Sequence, residues 1–260
     1  MKNNIVEEEE LISLYERYKN GKTLTKLSKE IGIDQKILSQ SFKEHGFKMK
    51  SGSRTYFLNE DYFSEIDTSN KAYWLGFIAA DGCLTKTGGH KTENVLVINL
   101  NIRDKEHLEK FAREIEYIGP IKIIKEAGFG KGTTLAKLSL NSIKICNDLK
   151  KQGVYPRKSL ILKPPQISPD FIKDWIRGYL DGDGSIHVSE KHSHISFCGT
   201  LEVLNFIDNF LTVTGEHKKI KRHPESDKNN WQFSIGGTEN SVKVLHKIYD
   251  NAEIYLTRKI

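Results

Sequence analysis

Residues 74–82 read Trp-Leu-Gly-Phe-Ile-Ala-Ala-Asp-Gly, and residues 176–184 read Ile-Arg-Gly-Tyr-Leu-Asp-Gly-Asp-Gly. Their last acids, Asp81 and Asp183, stand 102 residues apart. A second pair of landmarks keeps nearly the same spacing. Tyr155-Pro-Arg-Lys ends at Lys158 and Leu256-Thr-Arg-Lys ends at Lys259, 101 residues later. Between the landmarks, residues 137–149 and 232–248 both read as a strand, a turn and a helix. Two landmarks sharing one offset over about a hundred residues define an internal repeat, with copies at 68–163 and 168–260 joined by the turn at Lys163-Pro-Pro.

Each nonapeptide reads as the end of an apolar helix. Gly76 and Ala80, like Gly178 and Gly182, lie one helical turn apart, and small residues at this spacing let two helix backbones approach closely. Two such helices in one chain are expected to pack across a pseudo-two-fold axis. Gly82 and Gly184 then fall where left-handed C-caps are common. Asp81 and Asp183 would lie side by side at the helix C-termini. The helix dipole disfavours a carboxylate there by roughly 0.3–1 kcal/mol, and two adjacent carboxylates raise each other's pKa. Such concentrated negative potential calls for a hard divalent cation with oxygen ligands.

Composition limits the remaining possibilities. Among 260 residues, 40 are Lys or Arg and 34 Asp or Glu, a net charge of +6; the pI is about 9.0. The basic balance favours a polyanionic partner. At 37% hydrophobic and 10% aromatic residues, the chain is too apolar for disorder. It has no run long enough for a membrane span, and the polar, acidic start is unlike a signal peptide. Cys83, Cys146 and Cys198 form neither a disulfide framework nor a CxxC zinc site. A cytoplasmic location is expected. Residues 181–192 do not make an EF-hand, because position twelve is His192 rather than Glu. Residues 128–133 lack the P-loop spacing. His187, His192, His194 and Cys198 fit no zinc pattern.

The first 47 residues have a different character. Helices are expected over 8–20, 23–31 and from Asp34 to about His45, with turns at Gly21 and Gly32 and with Ile33, Leu38 and Phe42 facing a core. This is a helix-turn-helix pattern. Gln35, Lys36, Ser39, Gln40 and Lys43 are the exposed residues of its third helix, chemically able to reach bases or phosphates. Residues 48–54 read as a basic, flexible linker. Domains are therefore expected at 1–54, 55–165 and 166–260.

Within the repeats, residues 94–102 alternate Leu96, Ile98, Leu100 and Ile102 with Val95, Val97, Asn99 and Asn101, the signature of a half-buried strand. Residues 133–140 set Lys137 and Ser139 opposite Leu138 and Leu140. Strands over 218–223 and 231–235 carry Lys219, Lys221, Arg222, Gln232 and Ser234. Basic and amide groups on a sheet face suit a β-ribbon in the major groove, and Asn99, Asn101, Lys137, Lys219, Lys221, Arg222 and Gln232 are the candidate contacts. They would equally suit a solvated sheet face.

The paired nonapeptides resemble the LAGLIDADG signature of homing endonucleases, and the resemblance covers about three-quarters of the chain. It implies an α+β fold of two pseudo-symmetric αββαββα-like repeats, whose sheets form one saddle over double-stranded DNA, preceded here by the helical module. It also implies a monomeric, site-specific double-strand endonuclease reading a long, asymmetric site. By that resemblance Asp81 and Asp183, with the carbonyls of Ala80 and Gly182, bind Mg²⁺ or Mn²⁺, and Lys158 and Lys259 act beside the scissile phosphates. Asn101 is the candidate for the polar residue that orders water. Where the second motif has Asp181 the first has Ala79, so helix-end bonding is expected to differ between copies. Little sequence follows Lys259, so weaker support is expected for the second site. A transcription regulator built on a degenerate endonuclease domain, or an intron RNA maturase, is the alternative; retention of both acids and both lysines favours the enzyme.

Overall fold

The computed structural model describes residues 6–50, 55–125, 132–189, 193–212, 218–222 and 229–259, with 218, 219 and 222 described as backbone only. The chain divides into two compact units. One comprises residues 1–59 and 109–121, the other 60–108 and 122–260.

The first unit contains α1 (Glu8–Lys19), α2 (Leu24–Ile31) and α3 (Gln35–Glu44). Both ends of α2 and the start of α3 have a local cause. Thr23 Oγ1 accepts from Lys26 N, Gly32 ends α2 at φ 70°, and the Asp34 carboxylate accepts from Lys36 N. Leu11, Leu14, Tyr18, Leu27, Leu38 and Phe42 form the core, with Ile33 packed at its margin. Part of the expected linker is anchored instead. Lys50 Nζ donates to the carbonyls of Tyr18 at 2.6 Å and Thr55 at 2.9 Å and lies 4.0 Å from the Tyr18 ring centroid. The Tyr18 carbonyl already accepts from Gly21 N at 3.1 Å, and the lysine uses its second lone pair at the end of α1, where a cation is favoured. Residues 51–54 lie outside the described residues. In the same unit Asn59 N donates to Ile115 O at 2.9 Å, and Tyr56 meets Tyr117 edge to face.

The second unit holds the duplication, except for the end of α5, residues 109–114, which falls in the first. The first copy runs α4 (Ser69–Asp81), β1 (Gly82–Thr85), β2 (Val95–Asn101), α5 (Lys105–Glu114), β3 (Lys122–Lys125), β4 (Thr134–Asn141) and α6 (Ile143–Lys151). The second runs α7 (Ile172–Asp183), β5 (Ser185–His187), β6 (His194–Gly199), α8 (Leu201–Leu211), β7 (Lys218–Arg222), β8 (Trp231–Gly236) and α9 (Thr238–Tyr249). Both are αββαββα. Both make an antiparallel sheet of the same order, β1-β2-β4-β3 and β5-β6-β8-β7. Period-two patterning sets the faces. Leu96, Ile98, Leu100, Leu138 and Leu140 are buried in one sheet, and Ile195, Phe197, Phe233 and Ile235 in the other. Ile102, expected to continue the apolar face of β2, is instead in a 3-10 turn and 38% exposed. The strand stops at Asn101, whose side chain accepts from Arg103 N and caps that turn.

The copies meet through α4 and α7. A Cβ on Gly76 would lie 2.0 Å from Trp175 O, and a Cβ on Gly178 would lie 2.0 Å from Tyr73 O. Residues 76 and 178, and likewise 73 and 175, are equivalent in the repeat, so the contact is reciprocal, as a two-fold axis requires. Gly82 and Gly184 depart from the expected left-handed caps. Their φ,ψ values are −76°,147° and −85°,168°, extended backbone that starts β1 and β5. Glycine is needed at these positions for space, because an added Cβ would lie 2.7 Å from Ile78 O or 2.6 Å from Leu180 O. No helix among the described residues is long and apolar enough to cross a membrane.

Gly76→Ala tests the crossing. Helix propensity alone favours Ala by about 1 kcal/mol. The contact with Trp175 O should reverse that sign, for a net loss of about 1–3 kcal/mol, read from the midpoint of denaturant unfolding. A neutral or stabilising result would place the helices further apart than described.

Candidate active site

The helix crossing delivers both motif acids to one place. α4 ends at Asp81 and α7 at Asp183. Asp81 Oδ2 lies 3.5 Å from the point a Cβ of Gly182 would occupy, so the small residue at 182 leaves room for the opposing acid. Burial, and then the charge of Asp183, pushes Asp81 up to about 6, against the pull of Lys259 and Lys158. Asp183 is raised as well, by burial, with both lysines opposing. It keeps contact with water while protein crowds its flanks.

The two lysines occupy equivalent positions. Lys158 is buried and donates through Nζ to Ala80 O at 2.8 Å and to Gly82 O. Lys259 Nζ donates to Leu180 O at 2.6 Å and to Gly184 O at 2.6 Å, and lies 3.5 Å from Gly182 O. Each ammonium thus closes the carbonyl end of a motif helix, where a cation is favoured and orphan acceptors need donors. Burial depresses both lysines, Lys259 to about 8. The sequence places the lysines near the acids, but gives no sign that they hold the motif carbonyls.

Asp181 has a separate, structural place. Fully buried, it accepts from Tyr73 OH, Tyr249 OH and Leu256 N, each at 2.7 Å. Tyr73 OH also meets His107 Nε2 at 2.9 Å. Burial raises Asp181, and the two tyrosines and the backbone amide oppose the rise. Arg177, unremarked in the sequence, is 1% exposed. It donates to Ile254 O and Ile248 O, pairs with Asp174 at 2.8 Å, and lies 5.3 Å from the Tyr73 ring centroid. Both groups make contacts spanning 68 or more residues, which no local pattern records.

The candidate DNA contacts fall on two surfaces. In the first sheet Asn99 pairs across from Lys137, and Lys137 across from Lys122, a polar row on the face opposite Ile98 and Leu138. Asn101 shares that face, but its side chain is engaged in the cap. In the second sheet Lys221 is opposite Gln232 and Lys219 opposite Ser234, whereas Arg222 pairs with Trp231 and falls on the other face; Lys219 and Arg222 are placed by their backbone alone. His187 and His194 pair across β5 and β6 with ring centroids 5.2 Å apart, while His192 and residues 128–131 lie outside the described residues. On α3, Gln35, Lys36, Gln40 and Lys43 are exposed and Ser39 half-buried. Gln35 accepts from Thr25 Oγ1, and Gln40 donates to Glu44.

Residues 170–249 match the family model of the LAGLIDADG-like domain. Among solved structures, the homing endonuclease I-WcaI bound to its DNA recognition sequence shares the fold, with a TM-score of 0.52 at 13% identity over 84% of this chain and 96% of that one. The LAGLIDADG meganuclease I-AabMI bound to uncleaved DNA matches with a TM-score of 0.46 at 13% identity, covering 72% and 85%. No curated protein sequence matches the chain. The second repeat is thus a LAGLIDADG-like domain. The two repeats together have the LAGLIDADG homing-endonuclease fold.

The raised Asp81 carboxyl has a thermodynamic consequence in metal-free buffer. Its folded pKa exceeds the unfolded value, so the folded state binds the proton more tightly. The associated stability is full below about pH 4 and is lost as pH rises through about 6. Asp81→Asn should therefore match the parent near pH 4. Above pH 7 it should be more stable by on the order of 2 kcal/mol, at 1.4 kcal/mol per unit with allowance for solvent screening. Melting curves across pH 4–8 in EDTA check this; a constant offset would place the cause elsewhere.

Proposed function

We propose that the protein is a site-specific double-strand DNA endonuclease of the homing type. The observation that carries this reading is the meeting of Asp81 and Asp183 at the ends of two crossed helices, each end closed by a lysine. A degenerate binding protein would have no need to maintain that repulsive pair.

The residues fit a hard divalent cation. Among the described residues no group of three or more His, Cys, Asp or Glu side chains is placed to hold a metal ion. The chain instead offers two carboxylates, Asp81 and Asp183, and the carbonyl oxygens of Ala80 and Gly182, an all-oxygen set that leaves places for water and phosphate. Lys158 and Lys259 engage these carbonyls, yet a carbonyl oxygen has a second lone pair. Mg²⁺ or Mn²⁺ held here would neutralise charge on the scissile phosphate and acidify bound water. Lys158 and Lys259 keep positive charge beside the acids, in position to stabilise the charge that grows on a phosphate under attack.

Recognition is assigned to the outward sheet faces, through Asn99, Lys137, Lys221 and Gln232, with Lys219 at the matching register position. Asn101 and Arg222 are weaker candidates, given the cap and the register described above. α3 adds a second grip through Lys36 and Lys43, with Gln35, Ser39 and Gln40 beside them. The pseudo-symmetric repeats of one chain suit a monomer reading a long site whose halves differ.

Selection of cut sequences from a randomised duplex library in Mg²⁺ tests the function and supplies a target. On that target Asp81→Asn or Asp183→Asn alone should abolish cleavage of both strands while binding survives or tightens, since a negative charge facing DNA is gone. Full cleavage by the double variant would remove the acids from the chemistry. The Lys36→Ala/Lys43→Ala variant should bind more weakly, with the slope of log affinity against log salt smaller by about 2. An unchanged slope in fluorescence anisotropy titrations would take α3 off the DNA.

A further inference from the structure

The equivalent lysines are held by unequal surroundings. Lys158 opens a 3-10 turn, Lys158–Leu160, and is itself buried there. Lys259 ends the turn Thr257–Lys259, which has no buried residue. Arg157, which precedes Lys158, is exposed, has φ 55° and has no ion-pair partner among the described residues. Arg258, which precedes Lys259, reaches across the duplication. Its Nε lies 2.8 Å from Asp104 Oδ2, in the first repeat. The Asp104 side chain is only 6% exposed, so this carboxylate has given up most of its water, and an ionic partner is what makes that burial tolerable.

We propose that Arg258, through its bridge to Asp104, is the positioning residue for Lys259, fixing the turn that places its ammonium on the carbonyls of Leu180 and Gly184. The second half-site therefore depends on a tether that the first does not have. The proposal rests on the reading of Lys259 as part of the cleavage machinery, but its first test does not need cleavage.

Pulse reductive methylation of the full chain, read lysine by lysine by mass spectrometry, reports how firmly each ammonium is held. In Arg258→Ala and in Asp104→Asn, labelling of Lys259 should rise about fivefold or more, with Lys158 unchanged, because only the local turn is released. Arg258→Lys keeps the charge within reach of Asp104 and should restore protection. On a duplex cut by the parent protein, Arg258→Ala should slow one strand about tenfold with little change in affinity, so that nicked product accumulates. Unchanged Lys259 labelling, or an equal rise at Lys158, overturns the proposal. Equal slowing of both strands overturns the separateness of the half-sites. If the parent cuts nothing while Lys259 labelling responds as stated, the endonuclease reading falls and the tether stands.

Discussion

The centre of this protein is organised by two helices that cross backbone to backbone at a pair of glycines. Gly76 lies against the backbone of Trp175, and Gly178 against that of Tyr73. Neither contact tolerates a methyl group. What glycine forfeits in buried side chain is made up by its neighbours. Tyr73 and Trp74 stack edge to face, and Trp175 stacks on Tyr179 with centroids 5.2 Å apart, aromatic contacts that add to the area they bury. Because the crossing is reciprocal, it fixes both helix ends at once, and so brings together two carboxylates from sequence positions 102 residues apart.

That placement works against stability. A carboxylate at a helix C-terminus opposes the dipole, and a second one beside it adds repulsion. The fold offsets this with Lys158 and Lys259, which close the carbonyl ends and pull the Asp81 carboxyl back toward the charged form. The offset is incomplete, since Asp81 remains well above an ordinary carboxylate. A local arrangement that costs stability and is held by its surroundings supports the proposed reading of the site as one for chemistry.

Periodicity and repetition made much of this legible. The apolar helices, the small residues at their crossing, the alternating faces of β2 and β4 and the caps at Thr23 and Asp34 are local or repeated, and the sequence displays them directly. The misreading at Gly82 and Gly184 is instructive. Glycine after a helix suggested a left-handed turn, but here it makes room for an immediate extended exit past Ile78 O and Leu180 O. Lys50 looked like linker and proved to be an anchor, since a basic residue in sequence does not say which carbonyl it will meet. Asp181, the carbonyl partners of Arg177 and the Asp104–Arg258 bridge were illegible for one reason: these contacts span 68 to 154 residues, and nothing in a window around one residue encodes the other; only the Arg177–Asp174 pair is local.

Asp181 is the part of the second motif that the first lacks, and its three donors come from α4, from α9 and from the chain beyond α9. Releasing any one of those segments leaves a buried carboxylate short of a hydrogen bond, at a cost of about 1–3 kcal/mol. Opening the far end of the second repeat therefore also takes a partner from the carboxylate that Tyr73 of the first repeat bonds, so the two copies are expected to unfold together. A single acid that the first motif lacks thus ties the far end of the second repeat to the motif helix of the first.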